Sequence, residues 1–160
     1  MNDDALLVLP SRVRLAAPED VKVVRAMALV AFAETKDTAT PSPALTESVD
    51  DVRAAMARGG AALAEAEGLP LGSVRFAVDE GAHVLHFERL AVLPAARRHG
   101  IGSEFLTWLE THARHLDLRE LQTRAPMRTP DQRPFFLKRG FEVFGTETNS
   151  IVTLRKRVAT

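Results

Sequence analysis

The chain has 160 residues, and its 21 basic and 21 acidic side chains cancel to a formal charge of zero. A balanced charge excludes a global field that recruits nucleic acid or an anionic membrane, so any anion site has to be local. With no cysteine, no signal peptide and no apolar run of membrane-spanning length, the sequence predicts a single domain, residues 1–160, in the reducing cytoplasm.

The first half of the chain predicts one strand, two helices and three further strands. Arg12 to Leu15 is a strand candidate, and apolar residues at helical spacing predict a helix over Val21 to Ala31, with Pro18 in its first turn. Glu34 to Pro43 is rich in polar residues and proline and predicts a loop, after which Thr46 is the expected cap of a second helix. The next three strands are predicted at Ala61–Ala66, Leu71–Val78 and His83–Leu93.

The second half predicts a long helix between two strands. From Gly100, apolar residues recur at steps of three or four and indicate an amphipathic helix of about 16 residues. The strands on either side should pair in parallel within an otherwise antiparallel sheet, which gives an α+β domain with helices on both faces. The remaining predictions are a strand at Glu120–Arg124, a loop at Pro126–Pro134, a short helix at Phe135–Arg139, strands at Phe141–Gly145 and Ile151–Arg155, and a solvated tail at Arg155-Lys156-Arg157.

The most informative segment is the turn before the long helix, Arg97-Arg98-His99-Gly100-Ile101-Gly102. The first N–H groups of a helix lack intrahelical partners and carry the positive end of its dipole, so they suit a phosphate. At Gly100 and Gly102, a Cβ is expected to clash with a bound oxyanion or to forbid the required dihedrals, and Arg97 and Arg98 supply charge-assisted hydrogen bonds. The turn therefore predicts an anion site.

Two other phosphate-binding motifs do not fit this turn. The phosphate loop of nucleoside-triphosphate enzymes needs a lysine after its last glycine, where this chain has Ser103. The dinucleotide fingerprint needs a third glycine at the position of Phe105. A nucleotide or phosphate binder is left as an alternative, and it requires ATP or inorganic phosphate to bind well at this turn.

Three blocks of sequence resemble the motifs of the GNAT superfamily of N-acetyltransferases: Leu90-Ala91-Val92-Leu93-Pro94, Arg97-x-x-Gly100-x-Gly102, and Phe135-Phe136-x-x-x-Gly140-Phe141. The resemblance covers about Arg12 to Gly145. It implies that the chain binds acetyl-coenzyme A as cosubstrate. It also implies that Leu90, Ala91 and Val92 contact the pantetheine arm and that the residues wrapping the pyrophosphate are Arg97, Arg98, His99, Gly100, Ile101, Gly102 and Ser103.

Glu88 is the first candidate for a catalytic base, and His86 is the second. An alkylammonium is protonated at pH 7, so acetylation requires a group that takes its proton. Glu88 lies in the apolar strand segment from Leu85 to Val92, where burial is expected to raise the pKa of its carboxyl. The alternative is a structural ion pair between Glu88 and Arg75 or Arg124.

Because side chains alternate between the two faces of a strand, His86 and Glu88 should lie on one face and Phe87 and Arg89 on the other. Members of the family that this chain resembles carry a bulge in this strand, and one extra residue reverses the alternation beyond it. Which face meets the ligand is therefore left open by the sequence.

The family's usual acid for the departing thiolate is a tyrosine at the position of Phe136, but the chain contains no tyrosine. The thiolate is a weak enough base to be protonated by water or by the ammonium product. The leading prediction is an N-acetyltransferase in which a primary amine attacks the thioester directly. The alternative is a coenzyme A-binding module or sensor with weak or no catalysis.

The acceptor is expected to be a small, cationic amine rather than a protein N-terminus or lysine, because Glu34 and Asp37 lie in the loop that flanks the acceptor site in similar proteins. No nucleic acid, membrane or metal is expected as a partner, and a homodimer is left open. His112 and His115 have helical spacing but no third metal ligand beside them. Trp108 is interpreted as a core residue.

Overall fold

The computed structural model describes residues 11–126, 131–147 and 151–159, and the fold is stated for these residues. The N-terminal segment, and residues 127–130 of the loop expected at Pro126–Pro134, lie outside them. The strands are β1 (Arg12–Leu15), β2 (Gly60–Ala66), β3 (Leu69–Asp79), β4 (Val84–Val92), β5 (Glu120–Pro126), β6 (Glu142–Glu147) and β7 (Ile151–Arg157). The helices are α1 (Val21–Phe32), α2 (Val49–Arg58), α3 (Ile101–His115) and α4 (Arg133–Leu137).

The seven strands form one sheet in the order β1-β2-β3-β4-β5-β7-β6. β4 and β5 pair in parallel, and every other neighbouring pair is antiparallel. The long α3 connects β4 to β5, as a parallel connection requires. The predicted α+β fold, with one β-α-β crossover in a mostly antiparallel sheet, is confirmed.

The two faces of the sheet are covered by different helices. β2 shows why, because its side chains alternate: Ala62 and Ala64 belong to the core on the α3 side, whereas Leu63 packs beneath α1 and α2. α3 contributes Phe105 and Leu109 to the first core, both fully buried. The fold thus places α3 and the α1–α2 pair on opposite sides of the strands that carry the predicted site.

Two sequence predictions, one about the start of α2 and one about the end of β7, are wrong. Ser48, not Thr46, caps α2, because the Ser48 hydroxyl accepts from the Asp51 N–H and the Asp51 carboxylate accepts from the Ser48 N–H. Arg155-Lys156-Arg157 is not a solvated tail but the end of β7, paired with β5. Arg155 donates to Glu142 at 2.8 Å, and the Lys156 ammonium pairs with Glu110, so neighbouring carboxylates hold this basic run in the sheet.

We expect Ser48→Ala to lower the free energy of unfolding by about 1 kcal/mol, because a helix N–H loses its capping oxygen. Thr46→Ala is the matched control and should change stability by much less, since the Thr46 hydroxyl only donates to the Pro43 carbonyl at the surface. Urea denaturation of the three proteins measures the difference. Equal losses in the two variants would contradict the assignment of the cap.

Candidate active site

β4 contains one more residue than the stretch of β3 that it pairs with. Ser73 lies opposite Ala91 and Arg75 opposite Glu88, so two residues of β4, Arg89 and Leu90, face one residue of β3. Arg89 has a φ of 53°, in the left-handed region that is uncommon for a residue other than glycine. This is the bulge that the family resemblance implies.

The bulge reverses the direction of the side chains along β4. Before it, Phe87 belongs to the core on the α3 side, and His86 and Glu88 are exposed on the other face. Beyond it, Ala91 packs beneath α1 with Ala28 and Ala31. Without the extra residue, Phe87 and Ala91 would lie on the same face.

β4 and β5 stay paired only at their beginnings, from Val84–Glu120 to His86–Gln122. Beyond that point, the Thr123 hydroxyl donates to the Phe87 carbonyl at 2.9 Å, and the ladder does not continue. The edge of β4 from Glu88 to Val92 is therefore free of strand pairing on the β5 side. Two cavities open around this stretch.

The turn cleft has a volume of about 450 Å³ and lies between the end of β4, the start of α3 and α4. The sheet cavity has a volume of about 600 Å³ and lies over one face of β3, β4 and β5, beside the end of α2. Four residues line both, which places the junction of the two cavities at Phe32, Leu90, Gln132 and Phe136.

The predicted anion turn is built around the N-terminus of α3. Gly100 is the N-cap and has a φ of 84°, while the space around the position of a Cβ is empty for 4 Å. The need for glycine at this position is therefore conformational. Ile101, Gly102 and Ser103 supply the first N–H groups of the helix, and all three residues line the turn cleft.

Gly102 needs to be small for a different reason from the one expected. Its φ is not in the left-handed region, and a Cβ would come within 2.9 Å of the Phe135 ring. Glycine at this position lets α4 pack closely against the first turn of α3. A side chain at position 102 therefore requires Phe135 to shift.

The two arginines of the turn differ in their contacts. The Arg97 guanidinium donates to the Val92 carbonyl at 3.2 Å, to the Ala31 carbonyl at 3.0 Å and to the Glu34 carboxylate at 3.0 Å. It thus joins the end of β4 to the end of α1 and is largely occupied by protein groups. Arg98 is exposed, has a φ of 68°, and has no ion-pair partner in the described parts of the chain.

Sequence reasoning missed a further cation of the turn cleft, Arg139. Its Nε donates to the Ser103 hydroxyl at 2.6 Å, a second nitrogen donates to the Phe135 carbonyl at 2.8 Å, and the guanidinium lies 4.0 Å from the centre of the Phe135 ring. Arg139 directly precedes Gly140-Phe141, and its place next to this motif could have identified it from the sequence. It adds a positive charge beside the first turn of α3.

The floor of the sheet cavity is polar. β3 contributes Arg75, β4 contributes His86 and Glu88, and β5 contributes Gln122 and Arg124. These residues share one face of the sheet because Arg75 lies opposite Glu88 and His86 lies opposite Gln122. Both predicted catalytic candidates therefore line the same cavity.

Glu88 belongs to a network of four charges. The Arg75 guanidinium donates to Glu47 at 2.8 Å and to Glu88 at 2.9 Å, and the Arg89 guanidinium contacts the same two carboxylates at 3.2 and 3.5 Å. The expected ion pair with Arg75 is confirmed. The expected burial of Glu88 among apolar neighbours is wrong, because its side chain is 53% exposed.

Arg75 is the buried centre of this network, with only 6% of its side chain exposed. A charged group at this depth needs compensating partners, since the cost of removing it from water is several kcal/mol. Glu47 and Glu88 provide that compensation. The Arg75 Nε–H is nevertheless buried without a hydrogen-bond acceptor.

Phe136 lies in the wall between the two cavities and is 3% exposed. Its ring packs within 5.1 to 6.0 Å, centre to centre, of Phe87, Phe135 and Phe141. Phe136 is therefore a residue of the hydrophobic core. Phe136 also lines both cavities.

The structure brings most of the predicted ligand-binding residues together. Ala91 is buried beneath α1, and His99 is exposed outside the turn cleft. Glu34 also lines the turn cleft and pairs with Arg97, so it does not flank the sheet cavity. The predicted residues that line the turn cleft are Leu90, Val92, Arg97, Arg98, Gly100, Ile101, Gly102 and Ser103.

His112 of α3 is used for packing, whereas His115 is exposed. His112 stacks on Trp108 with ring centres 4.8 Å apart, and burial lowers the pKa of its imidazole. Within the described ranges, no cluster of three or more potential ligands is arranged for a metal ion. No helix there combines the length and hydropathy that a membrane span requires.

Comparison with known proteins identifies one family. The model of the acetyltransferase (GNAT) family matches residues 29–141, which is more than half of the chain. None of the curated proteins matches the sequence.

Solved structures with the same fold cover nearly the whole chain. The PaiA N-acetyltransferase of Thermoplasma acidophilum, in complex with coenzyme A, superposes with a TM-score of 0.80 at 18% identity, over 93% of this chain and 99% of its own. An N-acetyltransferase of Staphylococcus aureus Mu50 superposes with a TM-score of 0.72 at 18% identity, over 94% of this chain and 99% of its own. N-acetylglutamate synthase of Neisseria gonorrhoeae, in complex with coenzyme A and N-acetyl-glutamate, superposes with a TM-score of 0.75 at 16% identity, over 94% of this chain and 36% of its own.

We expect Gly100→Ala to lower the free energy of unfolding by about 1 to 2 kcal/mol, because an L-residue is strained in the left-handed region. Gly100→Asn should cost less, since asparagine tolerates this conformation better. The added Cβ meets no atom within 4 Å, so the two variants differ in backbone preference rather than in steric contact. Thermal unfolding of the ligand-free variants measures the order. An equal loss for alanine and asparagine would contradict a conformational origin.

Proposed function

The chain belongs to the GNAT family of acetyltransferases, and we propose that it transfers an acetyl group from acetyl-coenzyme A to the primary amine of a small molecule. One observation supports this most strongly: the turn cleft and the sheet cavity meet at Leu90 and Phe136. The first holds groups suited to a pyrophosphate, and the second holds candidates for a base. A donor in one cavity and an acceptor in the other would react at the junction.

The groups of the turn cleft fit a coenzyme pyrophosphate. The first N–H groups of α3 are directed to an anion by the helix geometry, and Arg98 and Arg139 add two positive charges beside them. Because Arg97 is tied to Val92, Ala31 and Glu34, we assign it the role of holding the turn in place. The unpaired edge of β4 at Leu90 and Val92 offers backbone groups to a pantetheine arm.

The sheet cavity supplies the acid–base chemistry of the acceptor. The amine nitrogen would attack the thioester carbon, the carbon–sulfur bond would break, and the attacking nitrogen would lose a proton while the thiolate gains one. Before this attack, the ammonium of the acceptor would have to lose a first proton to free its lone pair. We assign the Glu88 carboxylate the removal of that proton, directly or through water, with His86 as the second candidate. With phenylalanine at 136, the thiolate would take its proton from water or from the protonated nitrogen that has attacked the thioester.

A second candidate function is a coenzyme-binding module without turnover. It is favoured by Phe136, which places a hydrocarbon ring where the family's acid usually lies. Release of free thiol in the presence of amines separates the two functions, because a binding module retains coenzyme affinity but releases no thiol.

Arg98→Ala should weaken acetyl-coenzyme A binding by about 1.5 kcal/mol or more, roughly tenfold in Kd, through loss of a charge-assisted hydrogen bond. Its stability should be unchanged, since the side chain is exposed. Arg119→Ala is the matched control, because it removes the same charge from an exposed position just before β5, outside both cavities. Titration calorimetry measures both. Wild-type affinity in the Arg98 variant would place the pyrophosphate elsewhere.

Glu88→Gln should lower kcat for thiol release by about 10² to 10⁴ if Glu88 is the base, with coenzyme affinity retained. Glu47→Gln is the control, because Glu47 holds the same two arginines but does not line the sheet cavity. The assay screens primary amines with each variant at saturating acetyl-coenzyme A.

Similar losses in the two variants would assign Glu88 to the charge network instead of to proton transfer. Wild-type turnover in Glu88→Gln would remove Glu88 from the mechanism. If the wild-type chain bound coenzyme but released no thiol with any amine, the proposed activity would give way to the binding module.

A further inference from the structure

The sheet cavity is lined by more guanidinium groups than its proposed reaction needs. Four arginines from four different elements contribute to its walls, and none of them lines the turn cleft. Their charge is therefore not directed at the phosphates of a coenzyme. The four are Arg58 of α2, Arg75 of β3, Arg89 of β4 and Arg124 of β5.

Three of these arginines, Arg75, Arg89 and Arg124, interact with other groups of the protein. Arg75 and Arg89 share the carboxylates of Glu47 and Glu88, so this network has two positive and two negative charges. Glu88 is the sole acidic residue among the described residues that line the cavity. Even this network is not saturated, since the Nε–H of Arg75 is buried without an acceptor.

Arg58 is the arginine without compensation. It lies in the last turn of α2, is exposed, and makes no hydrogen bond or ion pair within the described ranges. In contrast, Arg53 of the same helix pairs with Asp50 and does not line the cavity. The cavity thus carries a guanidinium that is free to meet a ligand.

The acidic residues that suggested a cationic acceptor are not in this cavity. Glu34 is held by Arg97 in the turn cleft, and Asp37 is exposed and does not line the sheet cavity. A second ammonium on the acceptor would face arginines, which is unfavourable, whereas an oxyanion would gain charge-assisted and bidentate hydrogen bonds.

We infer that the acceptor is an amine that also carries an oxyanion, a carboxylate or a phosphate, and that Arg58 binds this group in the sheet cavity. The inference rests on the proposed function for the role of the cavity. The amine end lies toward Leu90 and Phe136, where the cavity meets the turn cleft, and the anionic end lies against the arginines. A volume of about 600 Å³ has room for a molecule of amino-acid or dipeptide size.

Matched acceptors test the inference. A panel of amino acids is compared with their own carboxamides, in which a neutral amide of similar size replaces the carboxylate. Phosphoethanolamine is compared with ethanolamine to distinguish a phosphate from a carboxylate. Putrescine represents a cationic acceptor. Binding to the chain saturated with coenzyme A is measured by calorimetry, and thiol release with acetyl-coenzyme A is measured in parallel.

We expect at least one acidic acceptor to bind about tenfold or more tightly than its neutral partner, as a charged hydrogen bond predicts. Arg58→Ala should bring the ratio of acidic to neutral affinity close to one, and Arg58→Lys should restore part of it. Arg53→Ala should keep the wild-type ratio, since it removes the same charge from the same helix outside the cavity.

Tighter binding of carboxamides, ethanolamine or putrescine would overturn the inference, as would an acid preference that Arg58→Ala leaves unchanged. Loss of the preference in Arg53→Ala as well would also overturn it, because a general field would then be responsible. The proposed function fails separately: acid-selective binding that depends on Arg58, without any thiol release, would preserve the anion site and remove the transferase activity.

Discussion

The site depends on the bulge in β4. One extra residue at Arg89–Leu90 turns Ala91 beneath α1, while Phe87 stays in the core on the α3 side. The same stretch of β4 has lost its pairing to β5 beyond His86. A regular, fully paired strand would close the sheet at this point. The bulge and the separated strands together leave an open backbone edge at Leu90, where the two cavities meet.

In a chain with no net charge, the proposed anion sites depend on the local arrangement of arginines. In the turn cleft, Arg97 donates hydrogen bonds to two backbone carbonyls and so holds the turn in position. The exposed Arg98 and Arg139, which is stacked on Phe135, line the same cleft. In the sheet cavity, two glutamates compensate Arg75 and Arg89. Breaking such a pair leaves a buried charge without a partner, at a cost of several kcal/mol. The same residue type therefore serves both as a structural tie and as a ligand-facing charge.

The aromatic cluster around Phe136 connects the core to the site. Phe87 comes from β4, Phe136 from α4 and Phe141 from the start of the last hairpin, and their edge-to-face packing fixes α4 against the sheet. Phe135 of the same helix fills the space left by the missing side chain of Gly102. The wall that separates the two cavities is thus part of the core, and it contributes no hydroxyl to the site.

The sequence by itself determined the order of strands and helices, the parallel crossover and the turn between β4 and α3, because each is encoded in consecutive residues: alternation, helical spacing, and a strand followed by arginines, glycines and a helix. The sequence placed the α2 cap at Thr46 instead of Ser48, because either hydroxyl has a position suited to a cap. It predicted a tail at the end of β7 because the pairing of β7 with β5 joins residues far apart in the chain. Only the tertiary structure decided that Arg97 binds Ala31 and Glu34, that Glu47 shares Arg75 with Glu88, and that Arg58 joins a cavity formed by three strands. Those contacts join residues 13 to 66 positions apart, and they depend on strand register and on where two strands separate, which no local pattern specifies.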